Sequence, residues 1–179
     1  MKVVGAENVP EGPAVFAVNH TSALDIPLLF GKLPAEFRII HKKSLYWTPI
    51  VGWYLLVGRH IGIDRQNPFR AKQSLAAAAL RIHNGTSVVA FPEGTRSRDG
   101  RLQPFKRGSF VLAQDAGVPV VPVSLVGVKA RVPRGLQSIA PGPVTLKIHP
   151  PISTAGREAE EVAEEVRAII LRDCEESAA

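Results

Sequence analysis

Short apolar runs without polar alternation recur along the chain, separated by longer amphipathic stretches. Pro13-Ala14-Val15-Phe16-Ala17-Val18, Val88-Val89-Ala90-Phe91 and Val118-Pro119-Val120-Val121-Pro122-Val123 are runs of this kind, the pattern of strands covered on both faces. Strands are predicted at Ala14–Val18, Phe37–Ile40, His60–Ile63, Ser87–Phe91, Val118–Leu125 and Val144–Ile148. Helices are predicted at Ile26–Gly31, Tyr46–Val57, Pro68–His83, Lys106–Asp115 and Glu158–Arg172. Asn67-Pro68 is a start signal for the third helix and Asn84-Gly85 its stop, while Gly117 closes the fourth. The last helix aligns Val162, Val166, Ile169 and Ile170 on one stripe with glutamates opposite, which predicts packing on a surface. Strands joined by crossover helices predict an α/β fold, layered, with a largely parallel central sheet flanked by helices. A length of 179 residues suits a single domain over residues 1–179, with 156–179 as an acidic C-terminal helix packed on it.

Two predicted strands empty into polar turns. The first turn is Asn19-His20-Thr21-Ser22-Ala23-Leu24-Asp25. An imidazole titrates near neutrality, and a carboxylate on its far nitrogen fixes the tautomer and supports the charge gained with a proton. His20 and Asp25 fit such a pair if His20 sits in the turn and Asp25 folds back from the first helical turn. Ser22-x-x-Asp25 equally reads as a capping box, in which the carboxylate serves only the helix. The second turn, Pro92-Glu93-Gly94-Thr95-Arg96-Ser97-Arg98, adds anion-binding donors. In an open α/β sheet both turns fall at the carboxyl ends of strands, where such sheets hold their ligands.

Asn19-His20-Thr21-Ser22-Ala23-Leu24-Asp25 and Phe91-Pro92-Glu93-Gly94-Thr95-Arg96-Ser97 resemble the first and third signature blocks of the glycerolipid acyltransferases, the 1-acylglycerol-3-phosphate acyltransferase family. Gly58-Arg59-His60-Ile61-Gly62-Ile63-Asp64-Arg65 resembles the second block and Val120-Val121-Pro122-Val123-Ser124-Leu125 the fourth, so all four occur in the family's order between residues 19 and 125. The resemblance implies a glycerolipid acyltransferase-like fold. It also implies transfer of a fatty acyl chain from acyl-CoA or acyl-acyl carrier protein to the sn-2 hydroxyl of 1-acylglycerol 3-phosphate, giving phosphatidic acid. The donor is a co-substrate, and no cofactor is implied. His20 takes the role of general base and Asp25 that of its orienting partner. Arg65 and Arg96 are the first choices for the acceptor phosphate, which guanidinium groups hold through charge-assisted hydrogen bonds. Thr95 joins them as a substrate contact, Glu93 would hold acceptor hydroxyls or brace an arginine, and Gly94 would allow close backbone approach. Lys42 and Lys43 are further binding candidates, although family members often have Lys followed by Glu-Leu where this chain has Ser44-Leu45. No Ser or Cys sits in a Gly-x-Ser-x-Gly context, so direct attack by the acceptor is expected rather than an acyl-enzyme. Other acceptors (glycerol 3-phosphate, a lyso-ornithine lipid, another lysolipid) stay open, as does a catalytically silent lipid-binding module.

Charge and composition add partners. The formal net charge is +6, but from Gly156 onward eight carboxylates face three arginines, leaving nineteen cations against eight carboxylates in residues 1–155. A basic body attracts phosphate-bearing partners: an anionic membrane surface, coenzyme A or acyl carrier protein. Nucleic acid is disfavoured, because the arginines are scattered through turns with no zinc-ligand spacing, basic helix or aromatic RNP-like strand. Leu45 to Val57 holds both tryptophans and both tyrosines and follows Arg38, His41, Lys42 and Lys43. That is the composition of an interfacial segment, and burial of the same aromatics in the core fits it too. No apolar run reaches 18 residues and Met1-Lys2-Val3-Val4-Gly5 is not a signal peptide. Membrane helices that often precede the first block in the resembled family are therefore absent or trimmed, and a peripheral, membrane-associated protein on the cytoplasmic face is expected. Cys174 is the only cysteine; lying in a polar segment far from every motif, it is not expected to be a nucleophile, and no intrachain disulfide is possible. His41, His60, His83 and His149 lack ligand-like pairing in sequence, so no metal site is expected, and His60 is expected to pack. Pro122 is expected at a strand edge, start or irregularity.

Overall fold

The computed structural model describes residues 1–64, 67–97, 99–132 and 139–176. Among them seven strands form one sheet: β1 (Lys2–Val4), β2 (Val15–Val18), β3 (Arg38–Lys42), β4 (Ile61–Ile63), β5 (Val88–Ala90), β6 (Val120–Val126) and β7 (Thr145–Ile148), in the spatial order β1-β7-β6-β2-β5-β3-β4. β6, β2, β5, β3 and β4 run parallel, while β7 pairs antiparallel with β6 and carries β1 parallel to itself at the edge. The helices are α1 (Asp25–Lys32), α2 (Val51–Val57), α3 (Pro68–His83), α4 (Gly108–Ala116), α5 (Val128–Arg131) and α6 (Ala159–Glu176). The α/β class with a mostly parallel sheet is the one the sequence predicts.

Alternation along the strands splits the core into two layers. Val15 and Ala17 of β2 join Val88, Ala90 and Val120 against α3, α4 and α6 on one face, whereas Phe16 and Val18 join Val89, Val121 and Val123 against Leu29 of α1 and Leu33 just past it on the other. Both faces are covered, which is why these strands read as unbroken apolar runs. α3 follows its start signal: the Asn67 side chain accepts from the N–H groups of Phe69 and Arg70, and Pro68 opens the helix.

Some elements differ from the sequence reading, which also lacks the short α5. The helix expected at Tyr46–Val57 is broken into a 3-10 turn over Lys43–Trp47 and α2, because Pro49 has no N–H to continue it. β1 escapes the pattern because it has three residues at a sheet edge with only Val3 turned partly inward. Pro122 lies in central β6, at an irregularity, one of the three places expected for it. Val123 pairs with Ile148 but Val120 with Ile152, so the partner has one extra residue, and the ladder bulges where the proline lacks its N–H.

Candidate active site

β2, β5 and β3 are parallel neighbours, so the turns that follow them share one edge of the sheet. The first turn is pinned by Asn19, whose buried side chain bonds Leu125 in both directions, accepting from its N–H at 2.7 Å and donating to its C=O at 3.0 Å. His20 follows. Its Nδ1 lies 2.8 Å from Asp25 Oδ2, and the same oxygen accepts from the N–H groups of Thr21 at 2.7 Å and Ser22 at 2.8 Å. Asp25 is fully buried at the start of α1. Base-orienting and cap-like roles thus meet on one oxygen: the Ser22 N–H contact is half of the predicted capping box, while the Ser22 hydroxyl accepts from Leu24 instead. A carboxylate on Nδ1 makes that nitrogen the donor and leaves Nε2 as the basic one. Nε2 has no hydrogen bond among the described residues, and the His20 side chain is 15% exposed.

The turn after β5 closes on His20. The Phe91 ring stacks on the imidazole with centroids 4.1 Å apart. Glu93 is buried and accepts from the His20 N–H at 2.6 Å with one oxygen and from the Gln103 N–H at 3.0 Å with the other, while Ser97 N–H donates to His20 C=O at 2.8 Å. Burial pushes the Glu93 carboxyl up, and the two N–H donors partly offset this. Glu93, expected to hold acceptor hydroxyls or brace an arginine, has each oxygen on a backbone N–H and so ties the His20 turn to Gln103. Gly94 has φ +77, and a Cβ there would lie 3.0 Å from Lys106 Nζ, so the turn needs a glycine. Thr95 and Arg96 are exposed, and neither side chain bonds another described residue. The Arg101 N–H at 3.1 Å and the Ser97 hydroxyl at 3.0 Å donate to Asp99 and hold its carboxyl below its usual range. Arg65 and Arg98 lie outside the described residues.

Lys42 ends β3 and Lys43 opens the 3-10 turn. Both line a cleft of about 380 Å³ with Ser44, Trp47, Asp64 and Arg70. Arg70 was not singled out in the sequence; its signal is its place in the first turn of α3, just past the second block. Beneath the Glu93 turn, Phe91, Pro92, Gly94 and Lys106 roof a pocket of about 300 Å³ with an apolar floor that includes Ile40, Ile63, Leu75 and Leu112.

Among the remaining polar residues, one contact lies beyond what the sequence spacing shows and one expectation is corrected. Cys174, far from every motif in sequence, places its sulfur 3.9 Å from Asn19 Nδ2; burial, with nearby carboxylates, pushes its thiol up to about 11, so it is neutral packing beside the site. His149 does pair with a carboxylate, Asp173 of α6, at 2.7 Å, and Asp173 also accepts from Lys147 at 2.5 Å. Burial works against it, yet the bonds from Lys147, Ser124 and His149 hold the Asp173 carboxyl below its usual range. His60 is buried and its Nδ1 accepts from the Ile39 N–H, a packing role as expected.

The fold is an open, mostly parallel α/β sheet that holds an imidazole–carboxylate pair at the carboxyl end of a central strand, the end at which such sheets place their ligands. The chain belongs to the acyltransferase family, whose description, Acyltransferase, matches residues 1–126. It is similar to the chloroplastic 1-acyl-sn-glycerol-3-phosphate acyltransferase BAT2 of Brassica napus, 38% identical over 168 residues that cover 92% of this chain and 48% of that protein. It is also similar to the 1-acyl-sn-glycerol-3-phosphate acyltransferase of Saccharomyces cerevisiae, 33% identical with 92% and 55% covered. The crystal structure of the 1-acyl-sn-glycerophosphate (LPA) acyltransferase PlsC from Thermotoga maritima matches with a TM-score of 0.82 at 37% identity, over 99% of this chain and 73% of that one. The chain spans about half the length of the curated relatives it matches.

Proposed function

We propose that the chain transfers a fatty acyl group from acyl-CoA or acyl-acyl carrier protein to the sn-2 hydroxyl of 1-acylglycerol 3-phosphate, with residues 1–179 acting as one acyltransferase domain. The observation that carries this reading is the 2.8 Å bond between His20 Nδ1 and Asp25, which leaves Nε2 basic, in a chain whose relatives are named for that reaction. A neutral alcohol is a poor nucleophile, so Nε2 removes its proton as the oxygen attacks the thioester carbonyl. The new C–O bond forms, the C–S bond breaks, and the imidazolium returns the proton to the departing sulfur. Asp25 holds the tautomer and supports the transient charge. Phosphatidic acid and a free thiol leave.

Arg96, aided by Thr95, offers charge and donors to the acceptor phosphate beside the base, and Lys42, Lys43 and Arg70 offer a second cationic cleft at the same sheet edge. Arg65 keeps its assignment from the second block alone. The pocket floored by Ile40, Ile63, Leu75 and Leu112 suits an acyl chain. Among the described residues no helix is long and apolar enough to cross a membrane; a peripheral enzyme at the cytoplasmic face, meeting its lipid in the bilayer, fits this reading.

Thiol release from palmitoyl-CoA with 1-oleoylglycerol 3-phosphate tests it, run on wild type, His20→Ala and Arg96→Ala. Release that disappears in His20→Ala and a raised acceptor KM in Arg96→Ala are expected. Turnover equal in wild type and His20→Ala, or none in wild type with either donor class and a panel of lysolipids, sinks the reading.

A further inference from the structure

We propose that residues 43–57, the 3-10 turn and α2, form a docking surface that seats the protein on an anionic lipid bilayer. Trp47, Ile50 and Trp53 are 89%, 85% and 76% exposed, and Val51, Leu56 and Val57 extend the patch. A contiguous apolar patch of this kind on a water-soluble surface marks an interaction site, and tryptophan with aliphatic neighbours suits the boundary between headgroups and acyl chains.

The exposure is built into the fold. Tyr46 points inward: its hydroxyl donates to His60 C=O at 3.0 Å and its ring meets Gly62, where a Cβ would lie 2.6 Å away. Gly52 packs so tightly on Tyr46 that a Cβ would stand 2.0 Å from the Tyr46 carbonyl oxygen. This locks α2 onto the turn and leaves Trp47 and Trp53 facing out. Ile50 is the sharpest sign. It has φ 66 and ψ −55, and the Val51 N–H bonds Pro49 C=O at 2.7 Å, which closes a γ-turn of the strained, positive-φ kind at a β-branched residue. A buried isoleucine could offset that strain by packing. This one faces outward, so its side chain brings no packing within the described residues to set against the strain.

Charge selects the occupant. From Phe37 to Ile63 the chain carries Arg38, Lys42, Lys43 and Arg59 and no carboxylate, Asp64 following in the cleft of Lys42, Lys43 and Arg70, and Lys42, Lys43 and Arg59 are exposed around the apolar centre. A basic rim around tryptophans matches anionic headgroups over acyl chains, whereas a second copy of the patch would bring like charges together. The turn starts where β3 ends, on the sheet edge that carries the His20 turn. Docking does not rest on the proposed reaction, because it is read without turnover.

Trp47 and Trp53 are the chain's only tryptophans, so intrinsic fluorescence reads the patch without background. Vesicles of phosphatidylcholine with phosphatidylglycerol shift the emission to the blue, lipid brominated on its acyl chains quenches it, and pure phosphatidylcholine acts only weakly. Trp53→Ser lowers the vesicle partition coefficient by about tenfold or more. Ile50→Gly, which relieves the γ-turn, lowers it severalfold with Tm unchanged or raised, so that loss is not unfolding. The proposal is overturned if no vesicle-dependent shift occurs, if both variants partition like wild type, or if the blue shift follows protein concentration in lipid-free buffer. Vesicle binding with no turnover on detergent-dispersed acceptor would remove the catalytic reading and leave this one standing.

Discussion

His20 is held from four directions: Asp25 on Nδ1, the Phe91 ring on its face, Glu93 on its N–H and Ser97 on its C=O. Only Nε2 is left for a substrate. Removing the ring in His20→Ala lowers the proposed turnover by roughly 10² or more, while the Asp25 contacts to Thr21 and Ser22 keep the turn folded, as a thermal melt will show. Glu93→Gln behaves differently. Whichever way the amide is turned, its NH₂ faces one of two backbone N–H groups, so one donor is orphaned. A stability loss of about 1–3 kcal/mol is expected from urea unfolding at unchanged m. Because one orphan is the N–H of His20, kcat falls more than KM rises. Neither role of Glu93 nor the double service of Asp25 was legible locally: a carboxylate three residues after Ser22 looks the same whether it caps a helix or orients a base.

Pairing of β3 with β4 depends on a titratable side chain. His60 accepts from the Ile39 N–H at 3.1 Å, and burial, then the charges of His41, Arg38 and Arg81, lower its pKa from 6.5 to about 4. An imidazolium has no acceptor for that N–H. The unfolded chain therefore takes the proton first as pH falls: the His60 contribution is complete above about 6.5 and is lost between there and about 4, by roughly 1 kcal/mol per pH unit. Urea midpoints at pH 7 and pH 5 read this loss, and His60→Gln, whose amide oxygen can accept the same bond, flattens the difference. Asp173, with its carboxyl held low, loses its contribution only at more acid pH. Asp173→Ala unlatches α6 from Lys147 and His149 of the β7 end. We expect a loss of about 1–2 kcal/mol at pH 7, since Lys147 is partly exposed and its share is screened.

Across the molecule, α6 is the lid of one core layer: Val162, Ala163, Val166 and Ile170 cover α4 and the sheet. A chain ended before Ala159 uncovers Phe110, Ala113 and Val120 and, lacking their burial, is expected to be aggregated rather than cooperatively folded, as size-exclusion chromatography and a melt will show. The charge division follows the same line, with acidic residues concentrated on the outer side of this helix and the basic rim gathered around the exposed tryptophans on the opposite half of the sheet order. The interfacial segment shows how far composition reaches. Both tryptophans and both tyrosines lie in it, and composition left core and interface equally open; the fold turned Tyr46 inward and the tryptophans outward.

By itself the sequence determined what periodicity and spacing can carry. It settled the α/β class, α3 with both its ends, the two polar turns at strand ends, and the family. Each of these is read from short stretches and from their order along the chain. The tertiary structure decided everything that depends on strand order. Glu93 meets His20 across 73 residues of chain, Cys174 meets Asn19 across 155, and Asp173 meets His149 across a β7–α6 connection. No local pattern records that β2 lies between β6 and β5, yet that placement alone brings Leu125 under Asn19 and Glu93 against the base. Contacts of that range form only when the whole sheet closes, which is why the sequence could pair His20 with Asp25 five residues away but not with Glu93.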